Sequence, residues 1–341
     1  MKDEGFVTNS GNGTSIILAV ALRSKWARPL GTVAGWRENR LRVVLPKIWA
    51  LALIACPLVA AAADPVATLT LLEGPAELVR GVTRYALAEG VRVQSGDIIE
   101  VGDKGLAQIE FSDGVALAMG PGTRMFAVSI SRGKPAASDY YVMQGRLKLA
   151  GVKQGVRLRV VTPIFTLIPT EGIAVLAVEA GEGSVFVESG EMRLAESPAR
   201  GGASAPLRLK GGDFFTRKAG QKGAVAPRPS PAFVGALPKI FLDSLPSRMA
   251  RHKERQVPPK QIGVVSYAEV EAWLKAPPEV RRPLVPRFEA RASDPAFRSG
   301  LVANLKFHPE WDPILFPEKY EPKEAEAEAA GAAPAKSAGK K

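Results

Sequence analysis

The sequence predicts a mainly β protein, in which a many-stranded β domain (a sandwich or a β-solenoid-like stack) precedes a C-terminal extension of short helices. Glycine is concentrated in the first half, where residues 71–223 hold 23 of the 33 glycines. Proline is concentrated in the second half, where residues 227–341 hold 17 of the 28 prolines. The glycine-rich half consists of short β-prone runs separated by Gly and Asp. Closely spaced strands with turn residues between them are typical of all-β folds, whereas frequent prolines keep helices short.

These changes in composition divide the 341 residues into five segments. They are an N-terminal extension with a signal peptide over 1–63, a β domain over 64–222, a proline-rich linker over 223–237, a short-helix region over 238–320 and a tail over 321–341. The tail is rich in Ala, Glu and Lys with balanced charge. Such a composition is typical of disordered segments.

The longest apolar run, residues 48–63, predicts secretion. It has 16 residues, follows a basic stretch and ends in three alanines. It is shorter than the ~20 apolar residues that span a bilayer. A positive flank, a short apolar core and an A-x-A ending are the parts of a secretory signal, so we expect cleavage between Ala63 and Asp64. The expected location is therefore the periplasm or the exterior of the cell.

Two other interpretations of this segment stay open. Without cleavage, the run would anchor the chain in the inner membrane. Leu53-Ile54-Ala55-Cys56 resembles a bacterial lipobox, in which the cysteine is acylated, although Pro57 follows it directly. We expect membrane association only in these two cases. Residues 1–40 either precede the true start of translation or form a small cytoplasmic segment.

Composition also restricts the chemistry. Basic residues exceed acidic ones by 12, but outside the N-terminal extension the excess is too dispersed to indicate nucleic-acid binding. The chain has only two histidines and one cysteine, so the side chains that most metal sites and catalytic nucleophiles require are scarce. The motifs of α/β-hydrolases, P-loop proteins, zinc proteases and dinucleotide-binding proteins are absent. We therefore expect no cofactor, no metal, no catalytic residues and no nucleic-acid partner.

Individual strands and turns can be assigned within the β domain. Residues Leu106–Phe111 alternate, with Gln108 and Glu110 on one face and apolar residues on the other. This period predicts a strand with one buried and one solvated face. The following Asp113-Gly114 predicts a tight turn in which Gly114 has a positive φ.

The order of these motifs resembles the FecR domain. The matching stretches are Gly90, Val93-Gln94-Ser95-Gly96-Asp97-Ile98-Ile99, Gly105, Phe111-Ser112-Asp113-Gly114-Val115, Gly120-Pro121-Gly122-Thr123, Gln144-Gly145-Arg146-Leu147 and Val160-Val161-Thr162-Pro163. The resemblance covers about residues 66–218, and its turns fall at Gly96, Asp97, Asp113 and Gly114. Two positions depart from the family pattern: Gly172-Ile173-Ala174-Val175 stands for Gly-Thr-x-Phe-x-Val, and Val101-Gly102 stands for Thr-Gly.

The resemblance implies binding or sensing in the bacterial cell envelope. Regulatory FecR proteins resemble an anti-sigma device, in which a cytoplasmic segment holds a sigma factor and a periplasmic domain responds to an outer-membrane receptor. Residues 1–47 do not match the helical, tryptophan-bearing pattern of that cytoplasmic segment. The sequence therefore favours a non-catalytic periplasmic FecR-domain protein that binds a protein or glycan partner.

Two other functions stay open. One is a membrane-tethered signal-transduction regulator that acts through residues 1–47. The other is an envelope polysaccharide hydrolase, because the paired carboxylates of glycosidases need no fixed spacing in the sequence.

Several short helices are predicted after the linker. Ser266-Tyr267-Ala268-Glu269 is a capping box. Asp294-Pro295 places an N-cap and an N1 proline before Phe297, Leu301 and Leu305. Because helices this short need tertiary contacts to form, we expect them to dock on the β domain.

Two groups of residues are candidate binding sites. Four aspartates lie beside glycines: Asp97, Asp103, Asp113 and Asp213. A calcium loop gathers its ligands within about a dozen residues, so turns that bond their own backbone explain these aspartates better. In the cluster His308-Pro309-Glu310-Trp311-Asp312, His308 and Trp311 form a candidate partner surface. Burial of Trp311 over the helical core is the simpler interpretation.

Overall fold

The computed structural model describes residues 67–131, 137–197, 205–253 and 256–320. Backbone contacts divide the chain into Met1–Ala60 and Ala61–Lys341, and every described residue belongs to the second unit. The expected cleavage at Ala63-Asp64, the lipobox Cys56 and the tail lie outside the described residues. Among the described helices, none combines the length and the apolar sequence that crossing a bilayer requires.

The described chain is mainly β, as predicted. The first strands are short: β1 (Ala67–Glu73), β2 (Ala76–Arg80), β3 (Thr83–Ala86), β4 (Arg92–Val93), β5 (Ile98–Val101), β6 (Leu106–Phe111), β7 (Ala116–Met119) and β8 (Arg124–Ser131). The next group includes three long strands: β9 (Ala137–Val152), β10 (Arg157–Val161), β11 (Phe165–Glu179), β12 (Glu182–Glu196), β13 (Leu207–Lys210), β14 (Phe214–Lys218) and β15 (Ala224–Ala226). One later strand, β16 (Lys260–Val264), lies among the helices.

These strands form one branched sheet around an apolar core. Its main path runs β15-β14-β12-β11-β10-β9-β8-β5-β2-β3-β16. β9 also pairs with β7 and β11, and β7 continues through β6 to β1. The β9–β10 pair is parallel and the other described pairs are antiparallel. The core between the strands extends from Leu69 in β1 to Phe215 in β14.

The tight turn predicted at Asp113-Gly114 is confirmed. Gly114 has a φ of +92°, and its N–H donates to the carbonyl of Phe111 at 3.0 Å. Asp113 Oδ1 accepts a hydrogen bond from the N–H of Val115 at 3.1 Å. The aspartate therefore bonds its own turn.

The prediction that one face of β6 is solvated is wrong. All six residues of the strand are buried, including Gln108 and Glu110. The reason is non-local: Gln108 Nε2 donates to the carbonyl of Pro246, and the N–H of Arg248 donates to Glu110. A C-terminal segment thus covers the polar side of this strand.

The described helices all follow residue 230 and are short, as predicted. They are α1 (Pro231–Gly235), α2 (Lys239–Leu242), α3 (Tyr267–Leu274), α4 (Pro278–Arg281), α5 (Leu284–Phe288), α6 (Pro295–Ala303) and α7 (Asp312–Leu315). Further 3₁₀ turns lie at Met249–His252, Glu289–Ser293, Leu305–Phe307, Pro309–Trp311 and Pro317–Lys319. The predicted caps form, since Ser266 N–H donates to Glu269 at 2.7 Å and Asp294 accepts from Phe297 N–H at 2.9 Å.

Residues 223–237, expected to form an extended linker, contact the β domain. β15 pairs with β14. The Phe233 ring of α1 lies 4.9 Å from the Phe214 ring, centroid to centroid. Because these contacts hold the segment against the strands, it belongs to the folded unit.

The C-terminal region covers two outer faces of the sheet, so the predicted docking is observed. On one face, Trp273 and Phe297 of the helices share an apolar cluster with Phe126 and Tyr141 of the sheet. On the other face, Phe241 of α2 packs on side chains of β1, β6, β7 and β11. β16 pairs with β3 and extends the sheet edge.

Candidate functional site

The turn at Gly96-Asp97 joins the β domain to the helices. Asp97 is buried, pairs with Arg80 at 2.6 Å and accepts from the N–H of Gln94 at 2.8 Å. The carbonyl of Gly96 accepts from Arg287 Nη1 of α5 at 2.6 Å. The turn is therefore an anchoring point for the C-terminal region.

The Arg287 guanidinium binds three carbonyls of the β domain. Besides Gly96, it donates to Gly81 at 2.7 Å and to Val79 at 2.8 Å. Burial lowers the pKa of Arg287 to about 10, although the charge of Asp97 opposes this shift. The side chain is thus still a cation near neutral pH.

The structure does not place the candidate partner surface, His308 and Trp311, at the surface. Their exposed fractions are 0% and 1%. The hydroxyl of Tyr267 lies 3.1 Å from His308 Nε2, and Trp311 belongs to the apolar cluster beneath the helices. The simpler interpretation, in which Trp311 is buried over the helical core, agrees with the structure.

His308 should make stability depend on pH. Burial lowers its pKa below the ordinary value, and the charges of Arg281 and Lys275 add to this shift. Because the unfolded chain then binds the proton more readily, His308 favours the folded state at high pH and loses that effect as the pH falls below about 6.5. We expect the unfolding midpoint of the wild type to fall more than that of His308→Gln between about pH 8 and pH 5. Parallel declines would contradict this assignment.

A groove of about 810 Å³ opens at strands β9 to β12. Its lining includes three arginines, Arg157 and Arg159 of β10 and Arg193 of β12. Their outward direction follows from strand alternation, because Leu158 and Val160 point into the core. The arginines thus lie on the exposed face of strands whose other face packs in the core.

The strand register brings Arg159 and Arg193 close to one row, whereas Arg157 lies two residues earlier in β10. Arg159 lies opposite Asp139 of β9. Arg193 lies opposite Ile168 of β11 on one side and Arg208 of β13 on the other. Because neighbouring strands lie about 4.8 Å apart, side chains that lie opposite each other on these strands are close neighbours.

The groove carries an excess of positive charge. Arg159 pairs with Asp139 at 2.8 Å. Within the described ranges, Arg157 and Arg193 have no ion-pair partner. Arg193 also faces Arg208 across the strand pair, and Arg208 pairs with Glu191 at 3.4 Å. An anion bound in the groove would therefore meet two guanidinium groups, those of Arg157 and Arg193, that have no ion partner among the described residues.

The groove is absent from the predictions made from the sequence, because its arginines come from separate strands that only the register aligns. The available signal is local alternation. Arg-Leu-Arg-Val-Val over 157–161 and Met-Arg-Leu over 192–194 each place arginine opposite apolar residues. The residues that the family motif singled out, Gly96, Asp97, Asp113 and Gly114, instead serve turns.

The comparisons with known proteins give only a partial structural likeness. No protein-family model matches the chain, and no curated protein matches it. Two crystal structures, at 2.50 and 1.65 Å, of a protein from Parabacteroides distasonis ATCC 8503 described as a candidate anti-sigma factor are similar in part. Their identities are 16% and 15%, each with a TM-score of 0.32 over 38% of this chain. The chain spans 57% of the length of those solved chains.

Proposed function

We propose that the chain is a non-catalytic FecR-like binding module of the bacterial cell envelope, and that its groove binds an acidic segment of a partner protein. The observation that carries this proposal is the pair Arg157 and Arg193, which line the groove without ion partners among the described residues. Guanidinium groups bind carboxylates through two parallel, charge-assisted hydrogen bonds.

The composition of the groove favours a protein partner over a glycan. Ile168, which lies opposite Arg193, is 39% exposed. Arginine next to exposed apolar side chains is typical of protein interfaces. An anionic glycan is the alternative partner.

The same lining supports a binding role rather than hydrolysis. Its one carboxylate is Asp139, which is already paired with Arg159. Glycosidases need two carboxylates that flank the scissile bond. The groove therefore lacks the side chains of the hydrolase alternative.

The envelope location depends on the signal-like residues 48–63 and on the FecR resemblance. The alternative of a membrane-tethered regulator depends on residues 1–47, which lie outside the described residues. Sequencing the N-terminus of the mature protein separates the two, since Asp64 is expected for the secreted form.

Binding of acidic polymers tests the groove. We expect the full chain to bind poly-L-glutamate in fluorescence anisotropy and to ignore neutral dextran. Replacing all three groove arginines (Arg157→Gln, Arg159→Gln, Arg193→Gln) should weaken binding about tenfold or more, since each lost charge-assisted contact contributes strongly.

The matched control removes the same number of charges elsewhere. Lys104→Gln, Lys222→Gln and Arg228→Gln change exposed side chains outside the groove. This triple variant should keep affinity within about twofold, because exposed charges act weakly at a distance. Equal losses in both variants would show that only net charge matters, and binding of polygalacturonate without poly-L-glutamate would assign the groove to a glycan.

A further inference from the structure

Residues 237–249, named the strap, lie across the outer face of β1, β6, β7, β9 and β11. Phe241 is the most deeply buried side chain of the strap: it is 0% exposed and packs on Leu71, Leu106, Ala118 and Val175. Leu237, Ile240 and Leu245 are partly buried against the same cluster, whereas Leu242 is 58% exposed. Phe241 is thus the one fully buried apolar anchor of the strap.

A buried lysine holds the backbone of the strap. Lys148 of β9 is 1% exposed, and its Nζ donates to the carbonyls of Phe241 and Asp243 at 2.7 and 2.8 Å. It also pairs with Glu188 of β12 at 2.9 Å. Two of its three hydrogen bonds therefore reach main-chain atoms of the strap.

A buried glutamate holds the other end. Glu110 of β6 is 4% exposed and accepts from the N–H groups of Arg248 and Met249 at 2.7 and 3.3 Å. It also accepts from the hydroxyl of Ser247 at 2.6 Å. Nearby, Gln108 donates to the carbonyl of Pro246 at 2.9 Å. The sheet thus binds main-chain carbonyls at the C-terminal end of α2 and main-chain N–H groups at the start of the following 3₁₀ turn.

The two covered faces differ in chemistry. The helices cover an apolar face whose sheet residues are Val79, Ile98, Phe126 and Tyr141. The face beneath the strap carries Thr70, Gln108, Glu110 and Lys148, all buried. Charged groups are costly to bury, and replacing them by apolar residues often stabilises a permanent contact. They suit a face that water solvates when its cover leaves.

We propose that the strap-covered face is a peptide-binding groove that the strap occupies in cis, and that a segment of a partner protein with an aromatic anchor binds there when the strap opens. The main-chain contacts of Lys148 and Glu110 do not depend on the strap's own side chains. The site is distinct from the arginine groove, so it does not rest on the proposed function.

Hydrogen exchange of the wild-type chain tests the opening. The N–H groups of Arg248 and Met249, bound to Glu110, should exchange at least about 100-fold faster than those that pair β6 with β7, because local openings need less free energy than global unfolding. Equal protection would show that the strap never leaves separately and would overturn the proposal.

Peptide binding tests the groove itself. A labelled peptide of residues 236–250 should bind the full-length Phe241→Ala chain, whose own anchor is lost, at least about tenfold more tightly than the wild type. The same peptide with Ala in place of its Phe should not bind. Adding Lys148→Met to the Phe241→Ala chain should abolish binding, while the groove variant with three arginine changes should keep the wild-type response.

Three results would overturn the proposal. In the first, the folded Phe241→Ala chain does not bind the peptide. In the second, the wild type binds the peptide as tightly as the Phe241→Ala chain does. In the third, the Phe241→Ala chain forms dimers that exclude the peptide. The last result would assign the groove to the strap of a second copy. Circular dichroism confirms folding of each variant, and the exchange experiment needs no variant at all.

Discussion

Trp273→Ala should lower the free energy of unfolding by about 3–5 kcal/mol, the usual loss for a buried aromatic residue. Trp273 is fully buried, and its ring lies 6.3 Å from the ring of Phe126 and 6.4 Å from that of Tyr141. Its Nε1–H donates to Glu100 at 2.8 Å. The substitution removes the main contact between α3 and the sheet. Urea denaturation followed by circular dichroism measures the loss.

The control for this prediction is an exposed position in the helical region. Val302 of α6 is 43% exposed, so Val302→Ala should change stability by less than about 0.5 kcal/mol. Helix and strand signals should disappear in one transition in the Trp273 variant. Two separate transitions would show that the helices and the β domain unfold independently.

Gly172→Ala should destabilise the chain by about 3 kcal/mol or more, because strain and a steric clash add. Gly172 of β11 has a φ of +102°, and an added Cβ would lie 2.1 Å from the carbonyl oxygen of Ser189. Its register partner Gly190 has a φ of +81°. The neighbouring atom belongs to the backbone of β12, so it cannot rotate aside.

Gly114→Ala is the matched control. Gly114 has a similar φ of +92°, but no atom lies within 4 Å of an added Cβ. This variant should lose only about 1–2 kcal/mol, the cost of the left-handed conformation alone. Equal losses for the two variants, measured by urea denaturation, would mean that β11 and β12 separate easily at Gly172.

Local signals were sufficient to predict the elements of the fold. The period of Leu106–Phe111 gives β6, Asp113-Gly114 gives its turn, and Asp294-Pro295 gives the start of α6. The shortness of the helices predicts that they dock on the β domain, because helices this short need tertiary contacts to form. The length of the strands β9, β11 and β12 is not evident from local signals, since glycines such as Gly172 and Gly190 suggest breaks where the structure has bulges nearby.

The candidate sites depend on contacts that no local pattern contains. Gln108 and Glu110 alternate like solvated residues, yet a segment almost 140 positions later covers them, with sequence separations of 138 between Gln108 and Pro246 and between Glu110 and Arg248. The arginine row likewise needs the register of β10, β11 and β12. A pattern shows which side of a strand is polar, but not what will lie against it.

Because the C-terminal region covers the β domain, the order in which the two are synthesised affects how the chain folds. Arg84 binds Glu269 across 185 residues, and Arg287 binds the carbonyl of Val79 across 208. The strands therefore leave the ribosome long before the helices that cover Phe126 and Tyr141. Contacts this distant in sequence form slowly and leave apolar surface open to association in the meantime. A chain that stops before Trp273 would present this face permanently, so truncation should yield aggregates rather than a smaller folded protein.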